Sequence, residues 1–315
     1  MMPLRQRCAS IVRIGCFAVL VFALAGCGGG STSAPGSGSG GGGGGTGGGG
    51  GVSQSNFGHV FLLVEENHGF SSVIGSSDMP YLNGLASQYG LATQYFANTH
   101  PSIGNYFMLT TGQMETNDDS FTGVISDDNL VRELNSAGIS WKSYAESLPQ
   151  AGYTGGNSGP YLKRHNPFSF FSDVVNDPAQ AAKLLPFSEF AGDLAAGNLP
   201  SFTYILPNVQ DDAHDGTLAQ ADQWLQQNIQ PLLASSLFQK DGLLIITWDE
   251  AEDSDTSQGG GRIATLIISP KAKTGFQSQT FYQHQSALRL ILSSLGVTNF
   301  PGAAASAPDM GEFLR

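Results

Sequence analysis

Leu243-Leu244-Ile245-Ile246-Thr247-Trp248 is a near-continuous apolar run that ends abruptly in two carboxylates, Asp249-Glu250. A short run without alternation of apolar and polar positions fits a strand buried on both faces. Similar β-rich runs occur at His59 to Glu65, Ser201 to Leu206 and Ile263 to Ile268. Between them lie segments with helical patterning at Met79 to Tyr89, Asn129 to Ala137, Leu218 to Leu233 and Gln285 to Leu295; in the first, Leu82, Leu85, Ala86 and Tyr89 share one face. Strands of this kind alternating with helices predict an α/β three-layer sandwich, a mostly parallel sheet with helices on both faces. Sheets of this architecture bind ligands outside the carboxyl ends of their strands.

The polar residues at those ends carry the candidate chemistry. Leu62-Leu63-Val64-Glu65-Glu66-Asn67 places a carboxylate and a carboxamide after the first strand, and Asp249-Glu250 follow a later one. Either pair alone is read as easily as a solvated loop as a ligand set. Two pairs ending buried strands of one sheet favour a metal site, because such oxygen ligands suit a hard divalent cation or zinc. Ser102 stands in His100-Pro101-Ser102-Ile103-Gly104-Asn105-Tyr106, ahead of an apolar stretch that closes at Gly112. Proline at a helix edge and glycine past its end place Ser102 at a helix N-terminus. A serine there can be a plain N-cap. The same geometry serves a nucleophile, since free N–H groups and the helix dipole hold a phosphate beside its hydroxyl.

The N-terminus carries Arg5, Arg7 and Arg13, an apolar run from Ile14 to Leu24, and then Leu24-Ala25-Gly26-Cys27. This is the pattern of a secretory signal rather than of a membrane span. Its small residues before a cysteine resemble a bacterial lipobox, which predicts cleavage at Cys27 and lipidation of that residue. Residues 1–27 are thus read as a lipoprotein-type signal, 28–55 as a Gly/Ser-rich flexible linker, and 56–315 as one large α/β domain. The expected location is the cell envelope, through a lipid anchor, with plain secretion as the other outcome. The three cysteines are Cys8, Cys16 and Cys27, so the domain has no disulfide framework. Beyond the signal 11 basic residues face 26 acidic ones, a net of −15. This balance argues against nucleic acid as a partner; an anionic substrate would need a local positive site, which a bound metal supplies.

Six blocks in order, LLVEEN (62–67), MPYLNGLASQYGLATQYFANTHPSIGNYFMLTTG (79–112), KRHNPFSFF (163–171), LPNVQDDAHDG (206–216), IITWDE (245–250) and FYQHQSALR (281–289), resemble the bacterial phosphoesterase family of acid phosphatases and phospholipases C, within the alkaline phosphatase superfamily. The resemblance implies that Glu66, Asn67, Asp249 and Glu250 hold a catalytic metal together with Ser102, the nucleophile. It implies that Asn105 donates to phosphoryl oxygens. His214 and His284 fall where two-metal relatives keep ligands of a second site. Those relatives have an aspartate where this chain has Asn208 after Pro207, so one divalent ion (zinc, calcium or magnesium) is expected, with His214 and His284 serving as phosphate donors or as the general acid. His100 and His165 lie inside matching blocks with less decided roles. Lys163-Arg164-His165-Asn166 are candidates to contact substrate anions, with Arg164 equally readable as a solvated cation; Asp212 and Asp215 are candidates to orient His214, and the stretch from Glu252 to Gly261 reads as a solvated loop whose nearness to Asp249 also allows a role in gating the site.

The function expected is metal-dependent hydrolysis of phosphate esters, acid phosphatase-like, through a phosphoserine. A phospholipase C-type diesterase and a non-catalytic surface lipoprotein on the same scaffold are the alternatives. A sulfatase is disfavoured, because Ser102 is followed by Ile103-Gly104-Asn105 rather than by a sulfatase motif.

Overall fold

Strand β1 (His59–Glu65) is the hinge of the architecture, with β5 (Phe202–Leu206) on one side and β6 (Gly242–Trp248) on the other, both parallel to it. The protein is seen in a computed structural model in which residues 57–315 are described; the predicted signal, Cys27 and the linker lie outside the described residues. The remaining strands are β2 (Gly90–Phe96), β3 (Trp141–Ala145), β4 (Leu184–Pro186), β7 (Arg262–Ile268) and β8 (Gln277–Ser278). Together they form one eight-stranded sheet in the order β4-β3-β5-β1-β6-β7-β2-β8. Only β7 runs antiparallel to its neighbours. The predicted mostly parallel α/β sandwich is therefore the observed fold.

Residues 60–64 of β1, together with β5 and β6, are fully or almost fully buried, as their apolar runs require. One group of helices, Ser102–Thr111, Leu130–Ser136 and His284–Ser294, packs together, and a second comprises Pro80–Gln88, Leu218–Ala234 and Ser236–Asp241. The second group is tied by Asp222, whose carboxylate accepts from Tyr81 N at 2.9 Å and Leu82 N at 2.8 Å, capping the shorter helix from the longer one. Among the described residues no helix is long and apolar enough to cross a membrane.

Register decides where the site forms. Glu65 pairs with Trp248, so Glu66 and Asp249 leave adjacent strands side by side, and Asp249 N donates to Glu65 O at 2.9 Å. On the other flank Glu66 N donates to Asp212 O at 2.9 Å, which draws in the loop after β5. The carboxyl end of β2 leads through 97–101 into the helix Ser102–Thr111, and the β6–β7 connection closes over the same edge.

Candidate active site

Ser102 is the first residue of its helix, with Pro101 as N-cap and Gly112 in the left-handed C-cap position (φ 68°). Its Oγ, 3.5 Å from Glu66 Oε2 and 3.3 Å from Glu250 Oε1, is positioned to donate to either. Ser102, Asn105 and Tyr106 share a face at i, i+3 and i+4. The Tyr106 hydroxyl donates to Glu66 Oε1, and its ring stacks on His165 with centroids 5.2 Å apart. Asn67 adopts a left-handed backbone (φ 57°), which asparagine tolerates better than most residues, and its N–H donates to Asp249 Oδ1 at 3.0 Å. The structure thus gathers Glu66, Asn67, Asp249 and Glu250 around Ser102.

Three carboxylates in so small a buried space repel one another. Two unit charges 4 Å apart interact by about 4 kcal/mol at an effective dielectric near 20. Burial raises the proton affinity of Glu66 well above the ordinary carboxylate range, and neighbouring Asp249 and Asp212 add to it. Glu250 is pushed up to about 9 by burial and then by Asp249, and burial also raises Asp249. Asp249 Oδ2 is buried without a hydrogen-bond partner of good geometry, although Ser102 and Glu66 adjoin the group. Crowded, partly orphaned carboxylate oxygens fit a divalent cation, which would satisfy them and allow them to ionise.

Four histidines stand at or behind the site, each in a different setting. His165 is buried, with Nε2 3.1 Å from Glu66 Oε1 and Nδ1 3.6 Å from Asp212 Oδ2; burial drives it toward the neutral ring. His214 lines the cleft, backed by Asp215 at 2.8 Å from Nδ1 and met at Nε2 by the Arg164 guanidinium at 3.1 Å. His100 reaches across to Glu250 Oε2 at 3.0 Å, while its Nε2 donates to Asp255 O. His284 departs from expectation. It is fully buried, with Nε2 donating to Asp249 O at 2.7 Å and Nδ1 3.4 Å from the Tyr95 hydroxyl, so it braces the turn at Asp249 from behind rather than facing the cleft. Burial lowers its pKa to about 4, which keeps the ring neutral.

Other expectations are also corrected by geometry. The Asn105 side chain is spent on the protein: Oδ1 accepts from Asn98 N and Thr99 N, and Nδ2 donates to Thr99 O and Glu250 Oε2. It therefore shapes the turn before Ser102 rather than pointing a free donor into the cleft. Of the two acids flanking His214, Asp215 holds the ring, whereas Asp212 accepts from the His214 backbone and faces His165. Asn208 turns into a local bond with Gln210 N and does not join the cluster. The stretch from Glu252 to Gly261 is no free loop. Glu252 accepts from Gly69 N and Ser72 Oγ, and Gly260 N donates to Ala97 O. A Cβ at Gly259 would lie 2.0 Å from Asn98 O, so only glycine permits that approach.

Two participants had no sequence reading. Tyr106 was discoverable, four residues after Ser102 on a helix. Asp119 was not, in a polar loop with no patterning; its Oδ1 accepts from Ile103 N at 3.1 Å and its Oδ2 lies 3.2 Å from Arg164 Nε. The resulting cleft, about 360 Å³, is lined by Asn67, Ser102, Asp119, Arg164, His214 and Glu250 among others.

The profile of the Phosphoesterase family matches residues 76–298. The chain belongs to the phosphoesterase family. This phosphoesterase is 33% identical over 255 residues to the Phosphatidylinositol-3-phosphatase of Mycobacterium tuberculosis, covering 80% of this chain and 81% of that protein. It is 32% identical to a Probable acid phosphatase of Kluyveromyces lactis and 33% to the Phosphate-repressible acid phosphatase of Penicillium chrysogenum, matching 75% and 69% of this chain. The match spans only 58% and 54% of those two fungal proteins. Among solved structures, a protein in the alkaline phosphatase superfamily from Vibrio parahaemolyticus superposes with a TM-score of 0.57 at 12% identity, over 84% of this chain and 70% of that one. The lipoteichoic acid synthase LtaP of Listeria monocytogenes gives 0.55 at 12%, over 78% and 73%. These likenesses establish the fold, and the family sets the class of phosphoric ester hydrolase.

Proposed function

We propose that the chain hydrolyses phosphate monoesters through a phosphoserine formed on Ser102. The observation that carries this reading is the Ser102 hydroxyl at a helix N-terminus, directed at Glu66 and Glu250, in a cleft that also presents Arg164 and His214. Glu66, Asn67, Ser102, Asp249 and Glu250 would hold one divalent cation. That ion supplies a lowered pKa for the serine hydroxyl and positive charge for phosphoryl oxygens. A second ion beside Glu66, His165 and His214, which do gather, is disfavoured because the Arg164 guanidinium already occupies His214 Nε2.

Ser102 Oγ attacks phosphorus in line, and its proton leaves toward the carboxylates it faces. The bond from phosphorus to the leaving oxygen breaks. The helix N-terminus and Arg164 hold the equatorial oxygens, where positioning and electrostatics carry phosphoryl transfer. Once Arg164 has turned to the phosphoryl group, His214, held at Nδ1 by Asp215, takes up a proton from solvent at the vacated Nε2 and passes it to the departing alkoxide. Water then cleaves the phosphoserine, releasing phosphate and restoring the hydroxyl. Names of relatives support monoesters over diesters, since they include acid phosphatases and a phosphatidylinositol-3-phosphatase. We also propose that the enzyme acts outside the cytoplasm on a lipid anchor at Cys27, the reading supported by the signal and lipobox pattern.

The test is Ser102→Ala assayed on p-nitrophenyl phosphate. Turnover should fall at least about a thousandfold with an unchanged circular dichroism spectrum. Wild-type rates in the folded variant would overturn the nucleophile, and wild-type protein faster on phosphatidylcholine than on any monoester would replace monoesterase by diesterase.

A further inference from the structure

Beside the cleft, on the far side of Asp119 and Arg164, lies a second pocket of about 130 Å³, lined by those two residues with Lys163, Asn157, Thr122 and Phe170 among others. Its charge is opposite to that of the cleft. The cleft wall carries three carboxylates, Asp119, Glu250 and Asp253, against Arg164. The second pocket carries two cations, Lys163 and Arg164, against Asp119 alone. Lys163 is half-buried; its ammonium donates to Thr154 O at 2.7 Å and sits 4.6 Å from the Phe170 ring centroid. Among the described residues no carboxylate pairs with it. In a chain with so large an excess of acid, a half-buried ammonium left without an acid is costly unless a ligand supplies the anion.

We propose that this pocket binds a second phosphate on the leaving group, so that the enzyme prefers monoesters whose alcohol carries another phosphate. The inference rests on the reading of Ser102 as the reacting residue, and it extends that reading to the substrate. With the reacting phosphoryl group in the cleft, the leaving group extends past Arg164, whose guanidinium borders both cavities. Among the described residues Asn157 donates no side-chain hydrogen bond, and its Oδ1 accepts from Lys163 N, so its amide is available with Thr122 to the same ligand. The second phosphate can belong to a free metabolite or to a lipid headgroup.

Binding without turnover tests the pocket. In the Ser102→Ala protein, calorimetry should show glucose 1,6-bisphosphate and 2,3-bisphosphoglycerate binding about tenfold more tightly than glucose 6-phosphate and 3-phosphoglycerate, as one charge-assisted contact of roughly 1.5 kcal/mol gives. Adding Lys163→Met should abolish the preference, and Lys163→Arg should keep most of it. Vesicles containing a phosphorylated inositol lipid form a second arm: retention by vesicles that depends on Lys163, without preference for the soluble bisphosphates, assigns the second phosphate to a lipid. Equal affinity for both members of each soluble pair together with vesicle binding indifferent to Lys163, or a preference that survives Lys163→Met, overturns the proposal. A wild-type enzyme that shows the binding preference but hydrolyses no ester refutes the phosphatase reading and leaves the pocket standing.

Discussion

The cleft at Ser102 and the pocket at Lys163 share a wall and solve opposite problems. The cleft collects carboxylates whose burial and mutual repulsion oppose their ionising together, a charge that a bound cation would balance. The pocket holds a half-buried cation without an acid, a charge that a bound anion would balance. The difference teaches that an acidic protein can present an anion site in two ways, by borrowing charge from a metal or by isolating its own few bases from its own acids. Asp119 is the joint between them: one oxygen caps Ile103 N and the other holds Arg164.

Removing the borrowed charge should have the largest effect. Dialysis against a chelator is expected to lower turnover on p-nitrophenyl phosphate at least about a thousandfold, since Lewis-acid stabilisation is worth several kcal/mol and each 1.36 kcal/mol is tenfold. Asp249→Asn should copy the loss with a reduced metal content by elemental analysis, because it removes a carboxylate held by Asn67 N. Full activity in metal-free protein would dissolve the contrast between the two cavities.

Cutting the joint should have a smaller effect. Asp119→Asn keeps an acceptor for Ile103 N but gives up the charge that holds Arg164. KM on p-nitrophenyl phosphate should change severalfold with kcat nearly preserved, because Arg164 loses the partner that positions it. Asp119→Ala also loses the cap, about 1 kcal/mol of stability. If Asp119→Asn left KM and kcat untouched, the wall would be structural only.

How much of this could be read in the sequence follows from what each residue touches. Strands β1, β5, β6 and β7 announced themselves because burial on both faces demands unbroken apolar runs. The other strands escaped. β2 carries Thr93 and Gln94 in mid-strand, β3 carries Lys142 and Ser143, and β4 and β8 are too short to show a pattern. Glu66, Ser102, Asp249 and Glu250 were legible because strand ends and a helix start are fixed by local chemistry. His284 was not, since a histidine opening a helix looks the same whether it faces substrate or, as here, donates to the Asp249 carbonyl. Lys163 was singled out with Arg164 as a contact for substrate anions, whereas Asp119 depends on a loop folding back from a distant point of the chain, and nothing in its neighbours records that.

The smallest effect sharpens the comparison through pH. In the metal-free protein Glu66, Asp249 and Glu250 bind protons more tightly folded than unfolded, Glu250 up to about 9 from its usual 4.5. Across that window the folded chain carries more protons than the unfolded one, so stability must fall as pH rises. Below the unfolded value both states are protonated and the penalty vanishes. A divalent cation replaces those protons. It should raise the Tm little at pH 5, where protons compete for the same oxygens, and by several degrees more at pH 8, where the empty cluster is most strained. Thermal denaturation with and without added cation, at both pH values, reads this directly. A cation-induced rise that is as large at pH 5 as at pH 8 would mean that the carboxylates are ionised without the metal, and the cleft would then lose the frustration that sets it apart from the pocket at Lys163.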